Sequence, residues 1–218
     1  MSNDHAVVRV NLYVDGFNLY HAIDDLGDPQ IKWLNLQVLG KSLLKAGEAL
    51  GEIHYFTAIV PWDSEKSGRH RQYIRALETR GVIVTEGNFR KAPRRCPVQK
   101  QMCDHNEEKQ TDVAIAVQML CDAMQGNVGR IILVTADSDQ IPTVKAIIRC
   151  APHVELTLAA PPGRMKNARE LGNHFLPSNR TELTAGRLKT CLFPKEVRNS
   201  RDILVAVRPI AYEPKATS

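Results

Sequence analysis

RIILVTADSDQIP, residues 130–142, passes from a nearly unbroken apolar run straight into an Asp-Ser-Asp turn and a proline. The apolar run predicts a buried β-strand, and the proline suits the first turn of a following helix. The same arrangement occurs near the amino terminus, where VRVNLYVDGFN, residues 8–18, ends its strand on Asp15 and Gly16. In alternating α/β chains the carboxyl ends of parallel strands face one crevice. The two stretches therefore predict an α/β fold with an acidic crevice.

Strands and helices alternate on both sides of this stretch. The apolar pattern predicts strands at residues 7–14, 53–60, 82–85, 130–135 and 154–159. It predicts helices at residues 34–45, 64–80, 107–124, 141–149 and 164–171. In the third helix the spacing predicts a core-facing stripe of Val113, Ala116, Val117, Leu120 and Met124. This alternation predicts a three-layer α/β/α domain with a mostly parallel central sheet.

The predicted domain spans residues 1–178, and residues 179–218 form a C-terminal extension. One stretch interrupts the alternation earlier, since residues 88–106 are basic and contain Pro93 and Pro97. We expect an ordered loop there, above the helix that bears Asp112. In the extension, the apolar residues 203–207 predict an added edge strand or a contact with a partner. If the partner is a second copy of the chain, this segment would form a homodimer contact.

Positive charge is concentrated in one part of the chain. The 29 Lys and Arg against 24 Asp and Glu give a net charge of +5, and residues 66–100 alone hold ten basic side chains against two acidic ones. Such a local excess near an acidic crevice favours a polyanionic partner over a solvated helix face, which is the alternative. The candidate contacts are Arg69, Arg71, Arg75, Arg90, Lys91, Arg94 and Arg95.

Four carboxylates are placed to meet at the predicted crevice: Asp15, Asp112, Asp137 and Asp139. Such a group repels itself unless cations lie between the acids, and all-oxygen ligands favour Mg²⁺ or Mn²⁺. The alternatives are a simple turn at Asp15 and a helix cap at Asp139. Capping leaves Asp137 unexplained, so the pattern predicts a metal-dependent phosphoester enzyme.

Polar side chains beside these acids are candidates for supporting roles. Asn18 could orient Asp15 or bind a phosphate, and Lys109 could neutralise charge that develops on a phosphate. Glu108 lies four residues before Asp112, so a helix there would place both on one face. The auxiliary candidates are Glu108, Thr135 and Ser138.

VDGFNLY, EKQTDVAIA and VTADSDQIP, in this order, resemble the signatures of NYN-domain proteins of the PIN-like nuclease superfamily. The similarity spans roughly residues 7–178. It implies a Mg²⁺- or Mn²⁺-dependent ribonuclease, which we expect to be an endonuclease acting on RNA. It further implies that the four Asp residues bind the metal and that Asn18 and Thr135 are polar site residues.

Three residues depart from the family pattern. Gln110 stands where the family often has glycine, Ala136 replaces the loop glycine, and Gln140 replaces a common aromatic residue. We expect Ala136 to matter most, because a residue with a Cβ adopts a glycine-only conformation less readily. Its effect would fall on the orientation of Asp137.

Other functions receive less support from the sequence. An RNA-binding regulatory module that keeps the fold without cutting RNA is the main alternative, since the loop glycine is substituted. A phosphatase of the HAD type needs a second Asp two residues after the first, where this chain has Phe17. Glycine-rich dinucleotide and P-loop motifs are missing.

Cysteines and the amino terminus bear on the cellular setting. Five cysteines in 218 residues suit a reducing cytosol, and no secretory or membrane segment is evident, so we expect a cytoplasmic protein without a membrane partner. Cys96, Cys103 and His105 raise the alternative of a structural Zn²⁺ site. Their Cys-to-Cys gap is longer than that of a typical zinc knuckle, which argues against zinc.

Overall fold

The computed structural model describes residues 7–95 and 102–214, with side chains except those of residues 92–107. The strands in these ranges are β1 Val8–Asp15, β2 Glu48–Ala58, β3 Val82–Arg95, β4 Met102–Lys109, β5 Arg130–Val134, β6 Glu155–Ala160, β7 Arg180–Glu182, β8 Glu196–Arg198 and β9 Leu204–Val207. The helices are α1 Gly16–Asp25, α2 Leu36–Ser42, α3 Ser64–Glu78, α4 Thr111–Gln125, α5 Ile141–Cys150, α6 Arg169–Gly172 and α7 Ala185–Lys189. Within the described ranges, no helix is long and apolar enough to cross a membrane.

The main sheet has seven strands in the order β4-β3-β2-β1-β5-β6-β7. All neighbouring pairs are parallel except β3 and β4, which are antiparallel. Starting from β1, the chain first adds strands on one side and then returns to add β5 on the other. The direction of strand addition therefore reverses between β1 and β5, and open α/β sheets bind ligands at the carboxyl edge of such a point. The predicted mostly parallel three-layer fold is confirmed.

The core lies on both faces of this sheet, because alternate residues of each strand point to opposite sides. On β1, Leu12 and Val14 pack with α1, α2 and α3, whereas Tyr13 packs with α4 and α5 on the other face. On β5, Ile132 packs on the same face as Leu12, and Leu133 packs on the same face as Tyr13. Strand β5 is buried on both faces, and after Arg130 it is apolar through Val134, as expected for a central parallel strand.

The third predicted helix was placed too early in the chain. Residues 107–109 belong to strand β4, and α4 begins at Thr111. Residues 88–95 likewise form a strand, paired with 102–109 in a hairpin that extends the sheet. The expectation of a loop is therefore wrong for the described part of residues 88–106. Antiparallel pairing gives the backbone N–H and C=O groups of this basic segment hydrogen-bond partners.

The predicted core stripe of α4 was wrong for three of its five residues, whereas Leu120 packs against the core as predicted. Val113, Val117 and Met124 are 67%, 57% and 63% exposed, respectively. The buried face instead carries Thr111, Ile115, Met119, Asp122 and Ala123.

The described residues after 178 pair with the main sheet and pack against its core. Strand β7 pairs in parallel with β6 at the edge of the main sheet. The predicted strand at residues 203–207 is present as β9, but it pairs with β8 in a separate two-stranded sheet. Val197 and Ala206 of that small sheet are buried against the same face of the core as α3. Homodimer formation stays a prediction.

Candidate metal centre

Asp15 is the most buried of the candidate ligands, with only 7% of its surface exposed. It ends β1 and caps α1, since the Asn18 backbone N–H donates to its Oδ1 at 2.9 Å. The Thr135 hydroxyl donates to its Oδ2 at 2.8 Å. Burial raises the pKa of Asp15 from 3.8 to about 6, against the lowering effect of these two hydrogen bonds. A carboxyl with such a pKa binds a cation most readily above pH 6.

The polar residues Asn18 and Thr135 hold Asp15 against the loop after β5. The Asn18 Oδ1 accepts from the Ala136 N–H at 3.1 Å, and the Thr135 hydroxyl accepts from the Asp137 N–H at 3.1 Å. Thr135 is fully buried, so its hydroxyl is committed to these partners. Both residues therefore orient acids in this structure.

Asp112, Asp137 and Asp139 converge on one small volume. One carboxylate oxygen from each lies within 4.8 Å of the others. Asp139 donates its backbone N–H to Oδ1 of Asp137 at 2.9 Å, which fixes the turn between them. Burial, followed by the charges of Asp137 and Asp139, raises the pKa of Asp112. Three carboxylates that repel each other at this distance suit a hard divalent cation.

Glu108 belongs electrostatically to the same group, although it lies on β4 and not on a helix face shared with Asp112. Its carboxylate accepts from the Thr111 hydroxyl at 2.5 Å. Burial and the charge of Asp112 raise the pKa of Glu108, and the charges of Asp112 and Glu108 contribute to the raised pKa of Asp15. Lys109, the next residue, is exposed and borders the start of α4.

Gln110 carries the backbone strain of this region. It precedes α4 with φ 84° and ψ −23°, a left-handed conformation that glycine adopts more easily. Ala136 shows no such strain, because among the described residues only Gln110 and Asp202 combine a side chain with positive φ. The expectation that Ala136 is the critical departure is therefore wrong, and the departure with a conformational consequence is Gln110.

Gln140 is a residue that sequence reasoning did not select for the site. It is 1% exposed, and its amide donates to the Asp112 backbone carbonyl at 3.3 Å. Its Oε1 accepts from the Thr143 hydroxyl at 3.1 Å. Gln140 thus ties the turn after β5 to the start of α4. Ser138, also in that turn, is partly exposed between the two acids.

Gly16 is required because α1 begins close to β2. A Cβ at this position would lie 2.6 Å from the Phe56 carbonyl oxygen and 2.6 Å from the Tyr55 ring. The turn after Asp15 therefore depends on close approach rather than on a left-handed φ, which Gly16 does not have.

The basic residues predicted to contact a polyanion lie on two faces of α3 and on the β3–β4 hairpin. Arg71 and Arg75 are exposed on α3, whereas Arg69 faces a cavity beside α1. Arg90 and Lys91 are exposed on β3. The side chains of Arg94 and Arg95 lie outside the described part of the structure, as do those of the zinc candidates Cys96, Cys103 and His105.

A cavity of about 290 Å³ lies between α1, β2, α3 and the hairpin, and its wall includes Gly16, the residue after the candidate ligand Asp15. Its aromatic lining residues are Phe17, Tyr20, Tyr55, Trp62, Tyr73, Phe89 and Tyr212. Three cations line it as well, namely Lys32, Lys66 and Arg69, and no Asp or Glu is found among its described lining residues. Burial, helped by Arg71, lowers the pKa of His70 in the wall to about 4, so that ring is neutral near pH 7.

A second group of metal-capable side chains lies beneath α4, formed by Glu52, His54 and Asp122. The Tyr13 hydroxyl donates to Asp122 Oδ2 at 2.5 Å, and Gln118 donates to Asp122 Oδ1 at 2.9 Å. His54 Nε2 lies 3.2 Å from the Glu52 carboxylate. These hydrogen bonds within the protein account for the group as a structural network, in which His54 and Asp122 are buried and the Glu52 side chain is 43% exposed.

Asp15 at the end of β1, Asp137 and Asp139 in the turn after β5, and Asp112 on α4 lie together where the strand order reverses. This arrangement defines a nuclease-like α/β domain. The chain belongs to the NYN domain family, which matches residues 9–179 and is part of the PIN-like superfamily. NYN domains are generally nucleases. The predicted family is confirmed.

Two individual proteins are also similar to this chain. 6-Hydroxy-3-succinoylpyridine 3-monooxygenase HspA of Pseudomonas putida is 25% identical over 232 aligned positions, which cover 89% of this chain and 73% of HspA. The crystal structure of a protein of unknown function from Vibrio parahaemolyticus matches with a TM-score of 0.59 at 18% identity, over 85% of this chain and 98% of that one. This structural likeness supports the fold alone.

Proposed function

We propose that the protein is a Mg²⁺- or Mn²⁺-dependent ribonuclease that hydrolyses phosphodiester bonds in RNA. The observation that carries the proposal is the convergence of Asp112, Asp137 and Asp139 within 4.8 Å, beside the buried Asp15 at the switch point of the sheet. Membership of a family whose domains are generally nucleases supports it.

The donor set fits a hard divalent cation, because all four ligands are carboxylates. Asp112, Asp137 and Asp139 would hold it, together with Asp15. A bound Mg²⁺ or Mn²⁺ supplies a water of lowered pKa and stabilises charge on the reacting phosphate. No serine, cysteine or histidine nucleophile is needed for that chemistry.

The chain's own contribution is positioning. Thr135 and Asn18 fix Asp15, and Gln140 fixes the start of α4 on which Asp112 lies. Fixed carboxylates leave little reorganisation for the reaction itself. The exposed Lys109, Arg71 and Arg75 attract the RNA backbone, which makes binding sensitive to salt.

Cleavage of a mixed RNA panel tests the proposal. Single-stranded, hairpin and transfer RNAs are incubated with Mn²⁺, Mg²⁺ or EDTA, using wild type, Asp112→Asn and Asp137→Asn. We expect metal-dependent cutting that falls at least about a hundredfold in both variants. Glu78→Gln, the same kind of change at an exposed position of α3, should cut like wild type.

Cutting that persists in EDTA or in both Asp variants would contradict the proposal. RNA binding without any cutting would favour a regulatory module of the same fold. The positions of the cuts within the hairpin RNAs decide between endonuclease and exonuclease action.

A second candidate function comes from the name of HspA, a monooxygenase of a substituted pyridine. The observation that favours it is the aromatic cavity with its three cations, which suits a ring bearing a carboxylate. Monooxygenation consumes one dioxygen and a two-electron reductant for each hydroxylated product. Oxygen uptake dependent on 6-hydroxy-3-succinoylpyridine, with a reduced nicotinamide nucleotide supplied, would support this function. Absence of substrate-dependent oxygen uptake would exclude the monooxygenase function.

A further inference from the structure

We propose that the aromatic cavity beside α1 binds one unstacked nucleotide of the RNA, with its base inside and its phosphate at the cationic rim. This inference rests on the proposed ribonuclease function and assigns the group that the enzyme recognises next to its metal centre. Single-stranded or unpaired RNA is then the substrate class, because a base in a duplex cannot enter.

The size and lining of the cavity suit one aromatic ring. Its volume, about 290 Å³, lies at the lower limit for small-molecule pockets, so it accommodates a single base better than a larger ligand. Trp62, Phe17 and Tyr20 remain 54%, 41% and 37% exposed. Trp62 and Phe89 meet edge to face with centroids 5.0 Å apart, so they form one side of the opening. Exposed rings of this kind are the usual stacking partners of unpaired bases.

The charges at the rim suit a phosphate. Lys32, Lys66 and Arg69 line the cavity, and no carboxylate lies among its described lining residues. Their acidic partners are outside the lining, as for Arg69, whose partner Glu65 at 3.5 Å is a mostly exposed side chain. Lys32 lies over the Tyr20 ring, 4.9 Å from its centroid, so positive charge is held beside an aromatic wall.

Two elements lead from the wall of the cavity to the candidate metal ligands. Gly16 and Phe17 in its wall directly follow Asp15 in the chain. On the hairpin, Phe89 is paired with Glu108, which belongs to the acidic group. A nucleotide held in the cavity therefore belongs to a strand that also reaches the carboxylates, and this favours a nucleotide over an unrelated small acid.

Calorimetric titration in EDTA tests the inference without any cleavage. The ligands are AMP and UMP, with ribose 5-phosphate as the phosphate without a base and benzoate as the ring without a phosphate. We expect the mononucleotides to bind and the other two to bind at least about tenfold more weakly. Fluorescence gives a second readout, because Trp62 is exposed at the cavity whereas Trp33 is fully buried.

Two variants locate the binding. Trp62→Ala and Arg69→Gln should each weaken mononucleotide binding about tenfold, and both positions are surface-accessible enough to leave the fold intact. Arg149→Gln, an exposed position on α5, is the matched control and should bind like wild type.

Several outcomes would overturn the inference: no mononucleotide binding, equal binding of ribose 5-phosphate, tighter binding of benzoate, or binding unaffected in both variants. Its failure is distinguishable from failure of the ribonuclease proposal. Metal-dependent cutting without mononucleotide binding contradicts the cavity assignment alone. Mononucleotide binding without any cutting contradicts the ribonuclease assignment alone.

Discussion

Asp15 illustrates at the residue scale how a buried carboxyl destabilises the fold that holds it. Burial raises its pKa from 3.8 to about 6, so the ionised form is less favourable in the folded chain than in the unfolded one. The destabilisation is absent below about pH 4 and complete above about pH 6. The corresponding free energy is at most about 3 kcal/mol.

We therefore predict that Asp15→Asn stabilises the EDTA-treated protein at pH 7.5 by about 1–3 kcal/mol and has little effect at pH 4. Urea unfolding at the two pH values measures the difference. Asp139→Asn is the control, because that side chain is exposed and removing its charge should change stability less. Equal effects of Asp15→Asn at both pH values would show that burial of the charge is not the cause.

Gln110 is the second residue with a measurable consequence. Its φ of 84° costs about 1–2 kcal/mol for a residue with a Cβ. Part of this is offset by the Asn88 amide, which donates to Gln110 Oε1 at 2.9 Å. Gln110→Gly should raise the free energy of unfolding by about 0.5–1 kcal/mol. Gln110→Ala loses the amide contact and keeps the strain, so it should be less stable than both; thermal unfolding of the three proteins checks this order.

At the scale of elements, sequence predicted the limits of β1 and β5 well, whereas β3 extends ten residues beyond its predicted end at residue 85. Strand β1 ends on Asp15, the turn after β5 bears Asp137, and both strands lie within a residue or two of their predicted limits. Local pattern failed at α4, where VAIAVQMLCDAM is apolar on several faces. The buried face includes Asp122, which accepts a hydrogen bond from Tyr13, 109 positions away on β1. No local pattern reveals such a partner.

The β3–β4 hairpin also shows that local sequence does not reveal a distant pairing partner. Residues 107–109, EEK, favour a helix by local propensity, but they pair with β3 and form the end of strand β4. As a result Glu108 reaches the acidic group from a strand and not from α4.

The buried pair of Arg130 and Glu48 joins β5 to the start of β2, and Arg130 also contacts the loop before β2. Their side chains are only 2% and 6% exposed, and Arg130 also donates to the Leu43 carbonyl at 3.0 Å and to Thr157 at 3.1 Å. Burial opposes ionisation of Glu48, but the Arg130 guanidinium outweighs it and keeps the pKa of Glu48 below its usual value.

Glu48→Gln should cost about 3–5 kcal/mol of folding free energy, because it leaves a buried guanidinium without its counter-charge. The pair lies at the start of β5, and the carboxylates follow its end, so RNA cleavage well below the melting temperature should be unchanged. Denaturant unfolding and cleavage are measured on the same preparation. A loss of cleavage without a loss of stability would contradict this assignment.

At the scale of the whole molecule, the strand order explains why acids far apart in the chain meet. The order reverses between β1 and β5, so the end of β1 and the turn after β5 are neighbours at one edge. The sequence indicated the acids and the sheet type, since both are local. It did not indicate the aromatic cavity, whose walls include Tyr212 of the C-terminal segment and Phe89 of the hairpin.

Mn²⁺ binding tests the assignment of the four carboxylates as metal ligands, and the electron paramagnetic resonance signal of the free ion at pH 7.5 measures it. Wild type should bind Mn²⁺, and Asp112→Asn and Asp137→Asn should each weaken binding about tenfold or more, while Glu78→Gln should not. Binding should also weaken at pH 5.5, where Asp15 is mostly protonated. Equal Mn²⁺ binding by wild type and both Asp variants would contradict the assignment of these carboxylates as a metal centre.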